Sequence, residues 1–271
     1  MPSLLDPLIV VTDLDGSLLD HHTYSWQPAV PWLDKLKTQG IPVVICSSKT
    51  AAEIGKLQQS LGLVGAPFIA ENGALLHPGS QWLPAVEPIT TILGQDYPSI
   101  RAILTKLRQE RGFKFFGFGD VNEKLIGEWT GLDPQDALLA QRRQASEALI
   151  WRDSDEKMEE FKRCLANHSL ILLEGGRFYH VMSEGGGKGV AVRWLLNLYH
   201  QHDGRNWQSL GLGDGPNDVS MLQAVDYAVI IRGYSKTPVD IGPEKSAVYR
   251  TITFGPEGWS EGLDHFFGAL D

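Results

Sequence analysis

The chain has 271 residues, 42% hydrophobic and 21% charged, and carries a formal net charge of −9. This is the balance of a folded globular protein, long enough for one large domain or two ordinary ones. The acidic excess argues against nucleic acid as a partner, since no surplus of Lys and Arg is available to neutralise phosphates; a small anionic ligand needs only a local positive pocket. Two cysteines without paired spacing, Cys46 and Cys164, argue against a disulfide framework or a zinc site and fit a reducing cytoplasm. The N-terminus lacks a basic region ahead of a long apolar core, and no run approaches a membrane span, so no membrane association is expected. Composition leaves the oligomeric state open.

In chain order, the apolar run Leu8–Val11 reads as a buried strand. A helix follows near 29–39, with Leu33 and Leu36 on one face, then Gly40 and a strand over 41–46. The polar turn Ser47-Ser48-Lys49 leads to a helix near 51–61 and a strand over 68–70, before Pro84 and Pro88 interrupt the pattern. Strands alternating with helices at this spacing predict βαβ units and a parallel sheet. Between about 86 and 183 the character changes. Helices are predicted near 99–111, 134–146 and 156–167. Strands are predicted at 113–118, 148–152, 170–174 and 177–182, the last two joined around Gly175-Gly176. This order suggests an α+β insert. From 185 onward the first pattern returns, with helix 189–201, strand 209–212, helix 217–224 and strand 227–231. The expected architecture is α/β: a parallel-sheet core over 1–85 and 184–271, interrupted by a separately folded insert over 86–183.

Chemistry is concentrated at the ends of the predicted core strands. Asp13-Leu14-Asp15-Gly16-Ser17 directly follows the first strand, at the sheet edge where open α/β sheets place their ligands. Carboxylates at i and i+2 suit covalent phosphoryl transfer, one attacking phosphorus and the other handling the proton. Gly211-Leu212-Gly213-Asp214-Gly215-Pro216-Asn217-Asp218 ends another strand at the same edge. Asp214, Asp13 and a backbone carbonyl offer hard oxygen ligands for Mg²⁺, with Asn217 and Asp218 ligating directly or holding metal-bound water; a Gly-rich helix cap is an equal alternative for this segment alone. Ser47 is placed to donate to a phosphate oxygen at a helix N-terminus, although such a turn is also an ordinary cap. Lys188, in Gly185-Gly186-Gly187-Lys188-Gly189, lacks the hydroxyl of a Walker A loop but is able to reach a transferring phosphate; a solvated lysine at a helix start is the other reading.

Taken in order, these four patches resemble the four motifs of the haloacid dehalogenase-like superfamily of phosphohydrolases, and the insert resembles the C2-type cap of its Cof-like branch. CSSKT, IAENGA, WRDSD, GGRFYHV and GLGDGPNDVSML are similar to segments of the mannosyl-3-phosphoglycerate phosphatase family, over essentially the whole chain. The resemblance implies a Rossmann-like core with an inserted cap, and a Mg²⁺-dependent phosphatase acting on a glycosylated phosphoglycerate or similar sugar phosphate. It assigns Asp13 as nucleophile, Asp15 as acid and base, and the Asp15 carbonyl with Asp214 to the metal. Ser17 stands where Thr is commoner and keeps the hydroxyl. Gly187, before the lysine, is expected to leave that loop mobile.

For the remainder of a substrate, Lys49 and the turn Glu71-Asn72-Gly73 are candidates in the core, although Asn-Gly equally favours a hairpin turn. In the insert the candidates are Arg152, Arg177 and His180, with arginine suited to a substrate carboxylate and the insert acting as a lid. The eight tryptophans are more economically core residues, with Trp26 and Trp151 the alternatives as a sugar platform. Competing readings are a phosphomutase using the same aspartate pair, and a non-catalytic sugar-phosphate sensor. The intact set of Asp13, Asp15, Lys188 and Asp214 argues against the sensor.

Overall fold

The computed structural model describes residues 2–80, 89–175, 177–235, 237–242 and 247–270. Trp82, Pro84, Pro88, the expected boundary at 85/86 and Gly176 lie outside the described residues. The pattern that made Leu8–Val11 legible continues into β1 (Leu8–Thr12), buried along its whole length. It runs parallel to β2 (Val43–Cys46) on one side and to β10 (Gln208–Gly213) on the other. The eight-stranded sheet has the order β12-β11-β10-β1-β2-β3-β4-β5, completed by β3 (Phe68–Ala70), β4 (Leu75–His77), β5 (Thr91–Ile92), β11 (Tyr227–Arg232) and β12 (Val248–Phe254). The first six in that order pair in parallel, and β4 and β5 pair antiparallel.

Both faces of the sheet are covered. Leu8 and Val10 face α1 (Val30–Thr38), α2 (Ala51–Ser60) and α9 (Gly255–Phe267) through Leu36, Ile54 and Trp259. Ile9 and Val11 face α7 (Lys188–Asp203) and α8 (Val219–Ala224) through Leu195, Tyr199 and Met221. A strand buried on both faces reads as a continuous apolar run, which is why its alternation is invisible in sequence. With β2 and β10 flanking β1, the connections diverge there, and the crevice beyond the C-terminal strand ends is the ligand position for this topology.

A second sheet, of order β6-β7-β9-β8, is antiparallel throughout and built from β6 (Phe115–Gly117), β7 (Ser146–Trp151), β8 (Leu170–Glu174) and β9 (Tyr179–Ser183). Leu149 and Val181 pack against α3 (Tyr97–Arg111) and α6 (Asp155–Ala166) through Leu104 and Phe161. Alternation turns Ala148 to the opposite face, against α4 (Glu123–Thr130) and α5 (Pro134–Gln141). The helix expected over 134–146 is shorter, because Ser146 already belongs to β7. α4, β4, β5, β12 and α9 are additions to the sequence reading. Edge strand β12 is tied to α9 by Glu261, whose carboxylate accepts from the Ile252 and Thr253 amides and from the Thr253 and Tyr249 hydroxyls. Among the described residues no helix is long and apolar enough to cross a membrane.

The insert's interior also holds an ion network. Asp120 accepts from Arg101 and Arg108 at 2.5 Å each and from the Gly117 amide, while Arg101 also donates to buried Glu147. Burial opposes the Asp120 charge, but the bonds from Arg108, Arg101 and the amide outweigh it and hold its carboxyl at about 2. Its stabilisation is complete above the usual carboxylate pKa and is lost as pH falls through about 2. Asp120→Asn is therefore expected to lower unfolding free energy at pH 7 by about 2 kcal/mol. Denaturant titrations at pH 7 and pH 3 check this, with the gap between variants narrowing at the lower pH.

Candidate active site

Three parallel strands end side by side and deliver the first residues of the site. Asp13 follows β1, Ser47 follows β2 and Asp214 follows β10, and the register places Thr12 against Leu212 and Ile45. The Asp13 amide continues the ladder by donating to the Leu212 carbonyl at 2.9 Å. Behind it, the Thr12 hydroxyl donates to the Asp13 carbonyl and accepts from the Trp259 indole, so α9 steadies the strand end.

After Asp13 the chain turns sharply. The Gly16 amide donates to the Leu19 carbonyl and the Leu19 amide to the Leu14 carbonyl, a loop that leaves the Asp15 carbonyl out of both bonds. Gly16 has φ +85°, and a Cβ there would stand 2.5 Å from Asp214 Oδ2. Glycine is required on both counts: backbone hand, and close approach of the second carboxylate. The Ser17 hydroxyl then donates to Asp214 Oδ1 at 3.0 Å, a role not assigned from sequence.

Lys188 opens α7 and is fully buried, with Nζ 2.6 Å from both Asp13 Oδ1 and Asp218 Oδ1. Burial alone would favour the neutral amine, but Asp13 and Asp218 outweigh it and hold the ammonium well above its ordinary range. Gly187, ahead of it, has φ +134°, and a Cβ on Gly73 would stand 2.2 Å from the Gly187 carbonyl carbon and 2.6 Å from the Lys188 amide nitrogen. The missing side chain of Gly73 thus lets its turn pack against the Gly187 backbone.

Asp218 fills its other oxygen with the amides of Asp214 and Gly215. It thus braces both the lysine and the β10 loop. Asp13, Asp214 and Asp218 each place one oxygen within 4.8 Å of the others. Burial first, and then the Asp218 charge, push the Asp214 carboxyl up to about 7, and the same two causes raise Asp13. Asp15 Oδ1 is buried without a partner. This all-oxygen donor set, with negative charge crowded beyond what Lys188 balances, fits a small hard divalent cation. Asp13, Asp214 and the Asp15 carbonyl are the available ligands. Asn217 is exposed, with its Oδ1 folded close over Gly215.

On the other side of Asp15, Lys49 Nζ lies 2.9 Å from Oδ2. Burial disfavours the Lys49 charge, but Asp15 and Glu53 outweigh it and raise its pKa. The Ser47 hydroxyl accepts from the Lys49 amide at the start of α2, whose own cap is Thr50 with Glu53. Its O–H is not used in that bond.

Two substrate assignments change meaning and two fail. Glu71, fully buried with φ +53°, does not face a ligand. Its carboxylate accepts from the Gln144 amide at 2.7 Å, the Ala145 amide at 3.1 Å and the Ser146 hydroxyl at 2.7 Å, tying the β3–β4 turn to the insert. Arg143, missed in sequence, lies 3.8 Å from Glu71 and donates to Ser146 and to the Ser48 carbonyl. Asn72, in the left-handed region, donates its amide to the Ser47 carbonyl, so the hairpin reading of Asn-Gly holds while the residue still borders the site. Arg152 is exposed beyond the far end of β7, about 20 Å of strand from Ser146. Arg177 is exposed and donates to the Thr130 carbonyl at the C-terminus of α4. Neither arginine is at the strand-end crevice. His180 is buried and close enough to Arg143 and Lys188 for both to depress its basicity. Trp26 packs on the core cluster, and Trp151 stacks with Phe115 and Phe161 inside the insert, so neither forms a platform.

Two outcomes follow from these placements. Glu71→Gln replaces one of the two acceptor oxygens facing buried donors with an NH2 group and removes the charge, and is expected to cost about 3 kcal/mol, with faster hydrogen exchange at the Gln144 or Ala145 amide; unchanged exchange at both would contradict the clamp. Arg152→Ala and Arg177→Ala are expected to leave catalytic constants within about twofold of the parent, since removing exposed side chains outside the site has small effects.

Comparison with known proteins agrees with this architecture. The sequence model of the haloacid dehalogenase-like hydrolases matches residues 10–112 and 132–236. Among solved structures, protein 0175 of Thermoplasma acidophilum is 17% identical, with TM-score 0.68 over 96% of this chain and 98% of that one. A haloacid dehalogenase-like hydrolase from B. subtilis is 18% identical, with TM-score 0.63 over 95% and 98%. The subclass IIB sugar phosphatase BT4131 is 16% identical, with TM-score 0.65 over 95% and 98%. Identities this low speak for shared fold alone, but the family match spans most of the chain. The protein is an enzyme of the haloacid dehalogenase-like hydrolase family, with a parallel α/β core and a cap.

Proposed function

We propose that the protein is a Mg²⁺-dependent phosphatase that hydrolyses a sugar-phosphate-type monoester through an aspartyl-phosphate on Asp13. The observation that carries the reading is the buried Lys188 ammonium, 2.6 Å from Asp13 and from Asp218, with Asp15, two residues along from Asp13, keeping a buried carboxylate oxygen unpartnered. The metal, held by Asp13, Asp214 and the Asp15 carbonyl and supported by Asp218 and Asn217, would offset phosphate charge and polarise the ester. Lys188 and Ser47 would hold phosphate oxygens. An Asp13 carboxylate oxygen attacks phosphorus as the bond to the leaving oxygen breaks, and Asp15 protonates that oxygen. Asp15 then takes a proton from water as the water oxygen attacks the phosphorus of the aspartyl-phosphate, releasing inorganic phosphate and restoring Asp13. Lys49 orients Asp15 through their ion pair. The similarity in fold to a sugar phosphatase supports the substrate class.

Mannosyl-3-phosphoglycerate is the specific substrate nominated by the sequence resemblance. With Arg152 and Arg177 outside the crevice, that nomination rests on motif similarity, and a phosphate-release panel including it, simple sugar phosphates and phosphoglycerates decides it. Two free cysteines, one buried at the end of β2, accord with a reducing cytoplasm. Phosphate release should depend on Mg²⁺ and stop with EDTA. Asp13→Asn should lose at least about a thousandfold in kcat while retaining its fold; near-normal turnover by that variant would sink the nucleophile assignment. Activity appearing only with a bisphosphate activator would favour a phosphomutase.

A further inference from the structure

Strand β1 is apolar from Leu8 to Val11 and ends on a single buried polar side chain, Thr12. Alternation puts Thr12 on the face of Leu8 and Val10, toward α9, and Asp13 on the opposite face, with Lys188. The Thr12 hydroxyl donates to the Asp13 carbonyl at 2.7 Å and accepts from the Trp259 indole at 2.9 Å. An indole N–H only donates and a carbonyl only accepts, so the one hydroxyl proton is committed. The relay runs from Trp259 through Thr12 to Asp13 and has no reverse. With the Asp13 amide on the Leu212 carbonyl at 2.9 Å, both peptide planes flanking the Asp13 Cα are held.

The helix that brings the indole is seated without slack. Gly258 and Gly262 lie one turn apart on α9 and let it close on the sheet. A Cβ would stand 2.5 Å from the Thr253 carbonyl oxygen at the first and 2.4 Å from Val229 Cγ1 at the second. Elsewhere on the helix, Ser260 donates to the Pro28 carbonyl and Asp264 accepts from the Trp32 indole at 2.8 Å. Trp259 is fully buried among these contacts. What the relay adds beyond packing is direction at one peptide. Without it the Asp13 carbonyl keeps only the Leu18 amide, at 3.4 Å.

We infer that Trp259 and Thr12 are positioning residues for phosphoryl transfer, aiming the Asp13 carboxylate at phosphorus through the peptide plane that Thr12 holds. This rests on the phosphatase reading above, with Asp13 as the attacking group. Lys188 grips the carboxylate at its tip, and the relay fixes the backbone from which it projects, so the attacking oxygen is constrained from both ends. Such a nucleophile is sensitive to small displacements: misplacement by about 1 Å, from a change away from the reacting atoms, costs up to about a hundredfold in rate. Both side chains lie beneath the strand end, on the face away from Lys188. Loss of the relay is therefore expressed in kcat, with substrate binding left to other groups.

The test measures kcat and KM on p-nitrophenyl phosphate with Mg²⁺, alongside a thermal melt of each variant. Thr12→Val keeps the side-chain shape and removes the hydroxyl; it should lower kcat by about 10- to 100-fold with KM within about twofold. Thr12→Ser, which keeps the hydroxyl, should recover most of the loss. Trp259→Phe should lower kcat by about 3- to 10-fold. Combined with Thr12→Val it should add nothing further, because the two groups act in series. Full kcat in Thr12→Val with a lowered melting temperature would mark a purely structural role and overturn the inference. So would losses that multiply in the double variant, or Thr12→Ser no better than Thr12→Val. Should Thr12→Val or Trp259→Phe fail to fold, the other decides. A wild-type protein inert toward p-nitrophenyl phosphate and the sugar-phosphate panel overturns the phosphatase reading, and the inference with it; an active wild type with unchanged variants overturns the inference alone.

Discussion

A buried ammonium held between two carboxylates is the interaction on which the rest of this molecule depends. Lys188 comes from the start of α7, Asp13 from the end of β1 and Asp218 from the loop after β10, so one side chain joins three elements that meet only when the parallel sheet is complete. The pairing is costly to assemble, because each charge leaves water, and it survives because all three groups are satisfied together. Its residual negative charge, carried by Asp214 and Asp13, gives the crevice an all-oxygen donor set suited to a hard cation.

The second organising contact is between core and cap. Glu71 gathers two amides and a hydroxyl from 144–146, and Arg143 returns a bond to the Ser48 carbonyl beside Ser47. Thr50, capping α2, also donates its hydroxyl to the Leu139 carbonyl at the end of α5. The cap is thus fastened to the loop that follows β2 and to the start of α2.

What the sequence revealed follows from what kind of contact each residue makes. Asp13, Ser47, Lys188 and Asp214 were legible because each follows a buried strand or opens a helix, and topology alone sends such positions to one sheet edge. The cap was legible as α+β but not in its partners. Arg152 and Arg177 look as suitable for an anion as Arg143 does, and only the three-dimensional pairing of 143–146 with the Glu71 turn separates them. Glu71 itself was misread because a carboxylate beside Asn-Gly signals a ligand contact or a structural bond equally well. α4 escaped notice because its eight residues include Gly127 and span barely two turns, too few for a helical period to stand out. β12 alternates poorly, being an edge with Ile252 left exposed.

The bonds from Glu261 to β12 have a consequence for association between molecules. An open sheet edge is a template on which another chain's strand is able to add, and such edges are hazards in a protein handled at high concentration. Here the chain's last helix lays a carboxylate across the amides of Ile252 and Thr253, leaving those donors committed to their own fold. The C-terminal helix therefore serves colloidal behaviour as well as packing. Loss of its docking would free a β-branched rim, and precipitation by strand addition would then compete with refolding.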